Sequence, residues 1–331
     1  MSTEQPLISV RDLKTYFVAD EGTTRAVDGA SFDVHPGKTL GIVGETGCGK
    51  SVTARSILRI VEVPGRIVGG EILLRRGEKI VDLVKLHPDG REMRQVRGGE
   101  IGLIFQEPMT SFSPVHTVGD QVIEAIRLHK KLDKKRARAR AVELFKMVGI
   151  PRAEGRLDDY SWQLSGGLRQ RAMIAMALAG GPRLLIADEP TTALDVTTQT
   201  QILELMRQLQ REDGMAIMLI THDLGVVAEM ATDVVVMYLG RVVEQAPVDA
   251  IFHDPRHPYT RALLRSIPRI RSRTRERLTP IAGAVPHPYD RPTGCPFHPR
   301  CAEFMAGRCD REAPALRPVG DHHAVSCFLY E

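Results

Sequence analysis

Apolar residues along this chain gather into short runs set between longer stretches of helical spacing. Leu40-Gly41-Ile42-Val43, Ile101 to Phe105, Leu184 to Ala187, Met215 to Thr221 and Val234 to Leu239 are almost wholly apolar and predict buried strands. Runs of mixed character predict shorter strands: Ile8 to Leu13 and Ala30 to Val34 across the polar turn Asp20-Glu21-Gly22, then Gly70 to Leu74 and Ile80 to Val84 across Arg75-Arg76-Gly77-Glu78. Gly240 divides Val234 to Leu239 from Arg241 to Gln245, the pattern of a terminal hairpin. Helices are predicted from Val52 to Val61, from Ala172 to Ala179, and after Asp195 to about Glu212. Thr117 to Ile150 changes character. Thr117 is placed to cap a helix with Val118, Val122, Ile123 and Ile126 on one side, and Gly149 to stop a second helix begun near Lys134. The pattern is that of an α/β domain carrying a helical insert.

At 331 residues the chain can bury a large core, as one large domain with an appendage or as two domains. Its 43% hydrophobic and 26% charged fractions are those of a soluble globular protein. No apolar run approaches the ~20 residues that cross a bilayer, and the polar start Met1-Ser2-Thr3-Glu4-Gln5 is no signal peptide, so the expected compartment is intracellular. A net charge of +4 permits contact with nucleic acid or anionic lipid and demands neither. The basic run from Lys130 to Arg140 reads as a solvated helix face. Of the five cysteines, four crowd into the last forty residues, which makes them candidate metal ligands rather than disulfide partners.

The candidate chemistry sits at the ends of the apolar runs. Between the strand ending at Val43 and the helix beginning at Val52 lies Gly44-Glu45-Thr46-Gly47-Cys48-Gly49-Lys50-Ser51, the pattern G-x-x-x-x-G-K-S/T. Its glycines let successive N–H groups converge on the β- and γ-phosphates of a nucleotide, and the helix adds its positive N-terminal end. Lys50 would supply a point charge and the Ser51 hydroxyl a ligand for Mg²⁺, with Cys48 a bystander. Ser165-Gly166-Gly167 opens another helix with a hydroxyl and N–H groups aimed one way, a second anion site. Gln106, after Phe105, can reach Mg²⁺ or an attacking water. Asp188 and Glu189 follow Ala187, the first suited to hold Mg²⁺ through water, the second to polarise the attacking water as general base. His222, after Thr221, is a donor to the γ-phosphate. Tyr16 and Phe17, at the end of the first strand, can stack on a purine or simply pack.

Taken in order, these motifs resemble those of the ATP-binding subunit of an ATP-binding cassette (ABC) transporter, from roughly Leu7 to Val248 and beyond. Gly44 to Ser51 is similar to Walker A, Gln106 to the Q-loop, Leu164-Ser165-Gly166-Gly167-Leu168-Arg169-Gln170-Arg171 to the signature, Leu184 to Glu189 to Walker B, Ala193-Leu194-Asp195 to the D-loop, and His222 to the switch histidine. Phe17, with Tyr16 as the other choice, is similar in position to the adenine-stacking aromatic. Leu168 departs from the glutamine of the widespread signature. The resemblance implies a P-loop NTPase cassette with a RecA-like core, an antiparallel β subdomain and a helical subdomain at about 107–180, all within residues 1–255. It also implies ATP with Mg²⁺ clamped between Walker A of one subunit and Ser165, Gly166 and Gly167 of a second, related ATPase chain. Hydrolysis would then drive two separate transmembrane permease subunits from the cytoplasmic face of the membrane.

The tail narrows the expectation. His257-Pro258-Tyr259-Thr260-Arg261-Ala262-Leu263-Leu264 resembles a motif of oligopeptide and dipeptide importers, related nickel and glutathione systems included, and by residue type alone is a Pro-started amphipathic helix. Importers of this kind also use an extracytoplasmic peptide-binding protein, and no nucleic-acid partner is expected. Beyond Ile281 come Cys295, Cys301, Cys309 and Cys327, with gaps of five, seven and seventeen residues. Zinc prefers closer pairs, so these gaps favour a 4Fe–4S iron–sulfur cluster within a small cysteine-rich appendage at 256–331, with zinc and free thiols as alternatives. Peptide-importer subunits have a similar cysteine-rich tail. Two other classes compete with the importer: soluble cassette ATPases of repair or translation, and a redox or iron sensor in which ATP is secondary.

Overall fold

The computed structural model describes residues 5–106, 111–192, 194–266 and 281–331. Strands among the described residues are β1 (Ile8–Ala19), β2 (Gly22–Val34), β3 (Thr39–Val43), β4 (Gly65–Arg76), β5 (Lys79–Asp82), β6 (Ile101–Ile104), β7 (Leu184–Asp188), β8 (Ala216–Ile220), β9 (Asp233–Tyr238), β10 (Arg241–Pro247), β11 (Arg317–Gly320) and β12 (His323–Val325). Contacts divide the chain into two units. One is mainly Lys85–Ile220, and the other is mainly Ile8–Asp33, Leu40–Val84 and Thr221–Glu331.

In the Lys85–Ile220 unit, β6, β7 and β8 are parallel, with Ile104 beside Ala187 and Ala187 beside Leu219. Every residue of β7 and β8 is buried, which is why they read as unbroken apolar runs. Helices Val118–Lys130 and Lys134–Met147 form where expected. The Thr117 hydroxyl accepts the Asp120 N–H at 3.1 Å, and Gly149 takes a left-handed φ of 71° after the second helix. The helix predicted from Ala172 begins earlier, at Gly166, because Ser165 caps it. A helix at Arg91–Gly99 was not predicted. Its end leaves helical geometry at Arg97 and Gly98, so no full apolar period is completed.

In the other unit, β2, β1, β4 and β5 form an antiparallel sheet in that order. β1 and β2 run much further than expected, so the predicted short strands are one long hairpin. The charges of Arg11, Asp12 and Lys14 interrupt the pattern, while Val10, Leu13 and Thr15 stay buried and Asp12 takes a left-handed φ of 46°. β3 is parallel to β9, and β9 turns through Gly240 (φ 78°) into antiparallel β10. That hairpin is not terminal, because β12 pairs with β10, Val325 opposite Glu244, and β11 pairs with β12. Glu244 is 0% exposed, and its carboxylate accepts His323 Nε2–H at 2.8 Å and the backbone N–H groups of Arg256 (2.6 Å) and His257 (3.0 Å). A buried carboxylate is tolerated only when so satisfied, so this one ties two segments of the C-terminal region, at 256–257 and at 323, to β10. The tail also contributes apolar anchorage. Phe297 is buried with its ring 5.3 Å from both Tyr238 and Tyr259. The C-terminal segment is thus built into the sheet and core of this unit, which corrects the expectation of a small cysteine-rich appendage. No helix among the described residues is long and apolar enough to cross a membrane.

Candidate functional site

The phosphate loop leaves β3 after Val43 and enters the helix Lys50–Ile57. The strand is wholly buried and fixes where the loop starts. Two of the loop's glycines are forced by crowding. A Cβ on Gly44 would lie 2.2 Å from the Met237 carbonyl oxygen, and one on Gly49 would lie 2.1 Å from that of Ala26. Lys50 is 6% exposed, and its ammonium donates to the carbonyls of Gly44 (2.8 Å) and Glu45 (3.2 Å), inside the curve of the loop. Thr46 and Gly47 are exposed at the tip, and Ser51 and Val52 occupy the first turn of the helix half-buried. Cys48 is buried, with its sulfur 3.8 Å from the Lys50 nitrogen, and burial pushes its thiol pKa up. It therefore sits as a neutral filler beneath the loop.

His222 belongs to the same unit. The Thr221 N–H donates to the Ile42 carbonyl at 3.4 Å, so exposed His222 stands one residue past a backbone tie to the strand that carries the phosphate loop. Asp223 then caps the helix Leu224–Met230. The two candidate aromatics are engaged differently. Tyr16 donates its hydroxyl to Asp28 at 2.6 Å, and the Arg25 guanidinium lies 5.7 Å over its ring. Burial pushes the Asp28 carboxyl up, but the Tyr16 hydroxyl, Arg291 and Arg241 outweigh it and hold the group below its ordinary value. Phe17 lies against Gly65, where a Cβ would stand 2.6 Å from its ring.

In the Lys85–Ile220 unit, the parallel pairing of β6 and β7 brings Gln106, Asp188 and Glu189 to one carboxyl edge, where open α/β sheets bind ligands. Gln106 Nε2–H donates to Glu189 Oε2 at 3.2 Å, and the Thr192 hydroxyl donates to the same oxygen at 2.9 Å. Glu189 has a left-handed φ of 49°, uncommon for a residue with a Cβ, and its N–H is held by the Ile220 carbonyl at 2.8 Å. Asp188 is buried at the strand end. Gln170, on the helix Gly166–Ala177, donates to the Pro190 carbonyl at 2.6 Å and so ties that helix to the carboxylate turn.

Ser165 and Gly166 are exposed, with Gly167 half-buried behind them. The Ser165 hydroxyl accepts the Leu168 N–H at 3.4 Å. Residue 168 serves this cap through its backbone, so leucine in place of glutamine leaves the cap intact. Asp195 caps the helix Val196–Asp213 by accepting from the N–H (3.0 Å) and hydroxyl (2.7 Å) of Thr198, hydrogen bonds that lower its pKa. Thr198 also presses on the signature loop, since a Cβ on Gly167 would stand 2.9 Å from its methyl group. Sequence reasoning missed Thr192 and Thr198, which act through neighbours three residues away. Both follow a capping acid or a strand-end acid at hydrogen-bonding spacing, and that was the available signal. Ala193 of the D-loop lies outside the described residues.

Cys295, Cys301, Cys309 and Cys327 are free thiols and line one pocket. Burial pushes the thiols of Cys295 and Cys327 up to about 11. Among the described residues no group of three or more His, Cys, Asp or Glu could hold a metal ion. The metal expected at these cysteines is therefore without support in the arrangement, which gathers four free thiols around a shared space.

Residues 27–192 match the ABC transporter family, and residues 243–309 match the oligopeptide/dipeptide transporter C-terminal region. The chain is 48% identical to the dipeptide transport ATP-binding protein DppD of Escherichia coli, over 97% of this chain and 96% of that one. It is 49% identical to the oligopeptide transport ATP-binding protein AppD of Bacillus subtilis, over 98% and 97% respectively. Among solved structures, the ATP-binding cassette MJ0796, a dimer in a post-hydrolysis state bound to ADP and Pi, superposes with a TM-score of 0.65 at 26% identity. That match covers 73% of this chain and 98% of the cassette.

Proposed function

The chain belongs to the ATP-binding subunits of peptide-type ABC transporters, and from that membership we propose that it hydrolyses ATP to power import of di- and oligopeptides. The observation that carries this reading is the phosphate loop, whose glycines at 44 and 49 admit no side chain and whose Lys50 ammonium is enclosed by the loop. Lys50 and the loop N–H groups would bind the phosphates, with Ser51, Gln106 and Asp188 as the residues that would hold Mg²⁺. Mg²⁺ there would neutralise charge developing on the transferred phosphoryl group. Glu189 takes a proton from the attacking water, and His222 donates to the γ-phosphate. Phe17, or Tyr16, stacks on the adenine.

The exposed Ser165 and Gly166 at a helix start are suited to bind the γ-phosphate held by a second ATPase subunit, with Asp195 linked to the same loop through Thr198. The relatives' names favour peptides over nickel or glutathione and do not suggest repair, translation or sensing. In this reading residues 1–255 form the ATPase, with its helical subdomain at about 107–180, and 256–331 form the peptide-importer region. Two transmembrane permease subunits, a related ATPase subunit and an extracytoplasmic peptide-binding protein complete the assembly at the cytoplasmic face of the membrane. The test is ATP-dependent peptide uptake by vesicles holding the assembled complex. Uptake that needs this chain and ATP supports the reading, and uptake unaffected by its omission overturns it.

The four thiols are also proposed to bind a 4Fe–4S cluster, for which they supply a full set of soft donors around one pocket. Burial raises the thiols of Cys295, Cys301 and Cys327, and the N–H groups of Phe297, Glu303 and Leu329, each two residues after a cysteine, offset part of that rise. Anaerobically purified protein is expected to absorb near ~400 nm, the charge-transfer region of iron–thiolate ligation, and Cys309→Ser to lose that band. A colourless wild-type chain overturns the cluster and leaves the ATPase reading untouched.

A further inference from the structure

Glu45, the second residue of the phosphate loop, is held from the far end of the chain. Its carboxylate accepts both arms of the Arg300 guanidinium, Oε2 from Nη1 at 2.7 Å and Oε1 from Nη2 at 3.1 Å. Its backbone N–H donates to the Tyr259 hydroxyl at 2.8 Å. Arg300 is 4% exposed at the side chain and Glu45 24%, so this bidentate pair is sheltered from the screening that makes surface ion pairs weak. Arg300 is itself fixed, donating through Nε to the Ala282 carbonyl at 3.0 Å and through Nη1 to the Tyr238 hydroxyl at 3.3 Å. Tyr259 is 0% exposed and wedged between the rings of Tyr238 and Phe297. Neither partner can follow Glu45 if the loop moves.

The arrangement answers a physical problem. A carboxylate in the loop that cradles phosphate repels the nucleotide and competes with it for Lys50, whose ammonium already donates to the Glu45 carbonyl. Turning the carboxylate onto a buried guanidinium removes both effects, and fixing the adjacent N–H sets the direction in which the loop curves. We propose that Arg300 and Tyr259 are positioning residues for nucleotide binding: the C-terminal segment draws Glu45 out of the phosphate cradle and neutralises it. Arg300 directly precedes Cys301, with Cys295 five residues before it, so the cysteine-lined pocket and the phosphate loop are joined through a single short turn.

The inference rests on the reading that this loop binds ATP, and titration of the full-length wild-type chain with a fluorescent ATP analogue tests that reading separately. Given wild-type binding, Arg300→Ala is expected to raise the Kd about tenfold, corresponding to about 1.4 kcal/mol. Turnover at saturating ATP should fall by less than about twofold, because the loss is in binding shared by ground and transition states. Adding Glu45→Gln to Arg300→Ala should restore the Kd to within about threefold of wild type, since the unpaired carboxylate is the cause. An unchanged Kd in Arg300→Ala, or an equal loss in the double variant, overturns the proposal, because a merely structural arginine would not be rescued by discharging residue 45. Should Arg300→Ala not fold, Arg300→Lys keeps a charge without the fork and is expected to weaken ATP about threefold. A wild-type Kd in that variant overturns the proposal equally.

Discussion

Glu189→Gln is expected to lower ATP turnover by about 10²- to 10⁴-fold, the contribution of a positioned general base, while leaving ATP affinity within about threefold of wild type. The separation follows from the hydrogen bonds around the carboxylate. Oε2 accepts from Gln106 Nε2 and from the Thr192 hydroxyl, and a glutamine oxygen can accept both. The backbone is set independently, through the Ile220 carbonyl and the tie between Gln170 and Pro190. What the substitution removes is the lone pair that takes a proton from water. Single-turnover hydrolysis of radiolabelled ATP, alongside equilibrium binding, measures both halves. Turnover within threefold of wild type would move the base to another residue.

The other large effect lies in the loop itself. Gly49→Ala should raise the ATP Kd more than about a hundredfold and also lower the melting temperature. At φ 101° a residue with a Cβ carries strain of order 1–3 kcal/mol. Its Cβ would also stand 2.1 Å from a backbone oxygen that cannot swing away. Each kcal/mol lost shifts Tm by about 2–4 °C in a domain of this size. Gly47→Ala is the control, since at φ 81° it shares the strain but has nothing within 4 Å of its Cβ. Its effect on Tm should be clearly smaller, and equal effects would remove the steric argument.

Much of the site was legible because its causes are local. A glycine spacing, a strand-end carboxylate and a capping Ser, Thr or Asp each act within a few residues: Thr117 caps its helix as its position suggested, Ser165 opens one, and Asp195, expected only to end a loop, proves to be a cap as well. The errors arose where the cause is distant or the pattern is broken. β1 carries three charges, Arg11, Asp12 and Lys14, around its middle and could be recognised as one strand only through its pairing with β4. β11 and β12 are four and three residues long, one containing proline, too short for any period to show. The Arg300–Glu45 pair spans 255 residues, and nothing near either residue announces the other. The tail cysteines are an intermediate case. Their grouping in the sequence correctly suggested proximity, but spacing alone does not specify how tightly thiols converge.

The pairing of β12 with β10 has one more consequence. Without the final residues, β10 would be a sheet margin with bare N–H and C=O groups, the kind of template on which other chains add strands. Loss of His323 would also remove one of the three hydrogen bonds that satisfy the buried Glu244 carboxylate. Deleting the residues from Arg317 onward would therefore keep every ATP-site motif and expose an edge open to self-association.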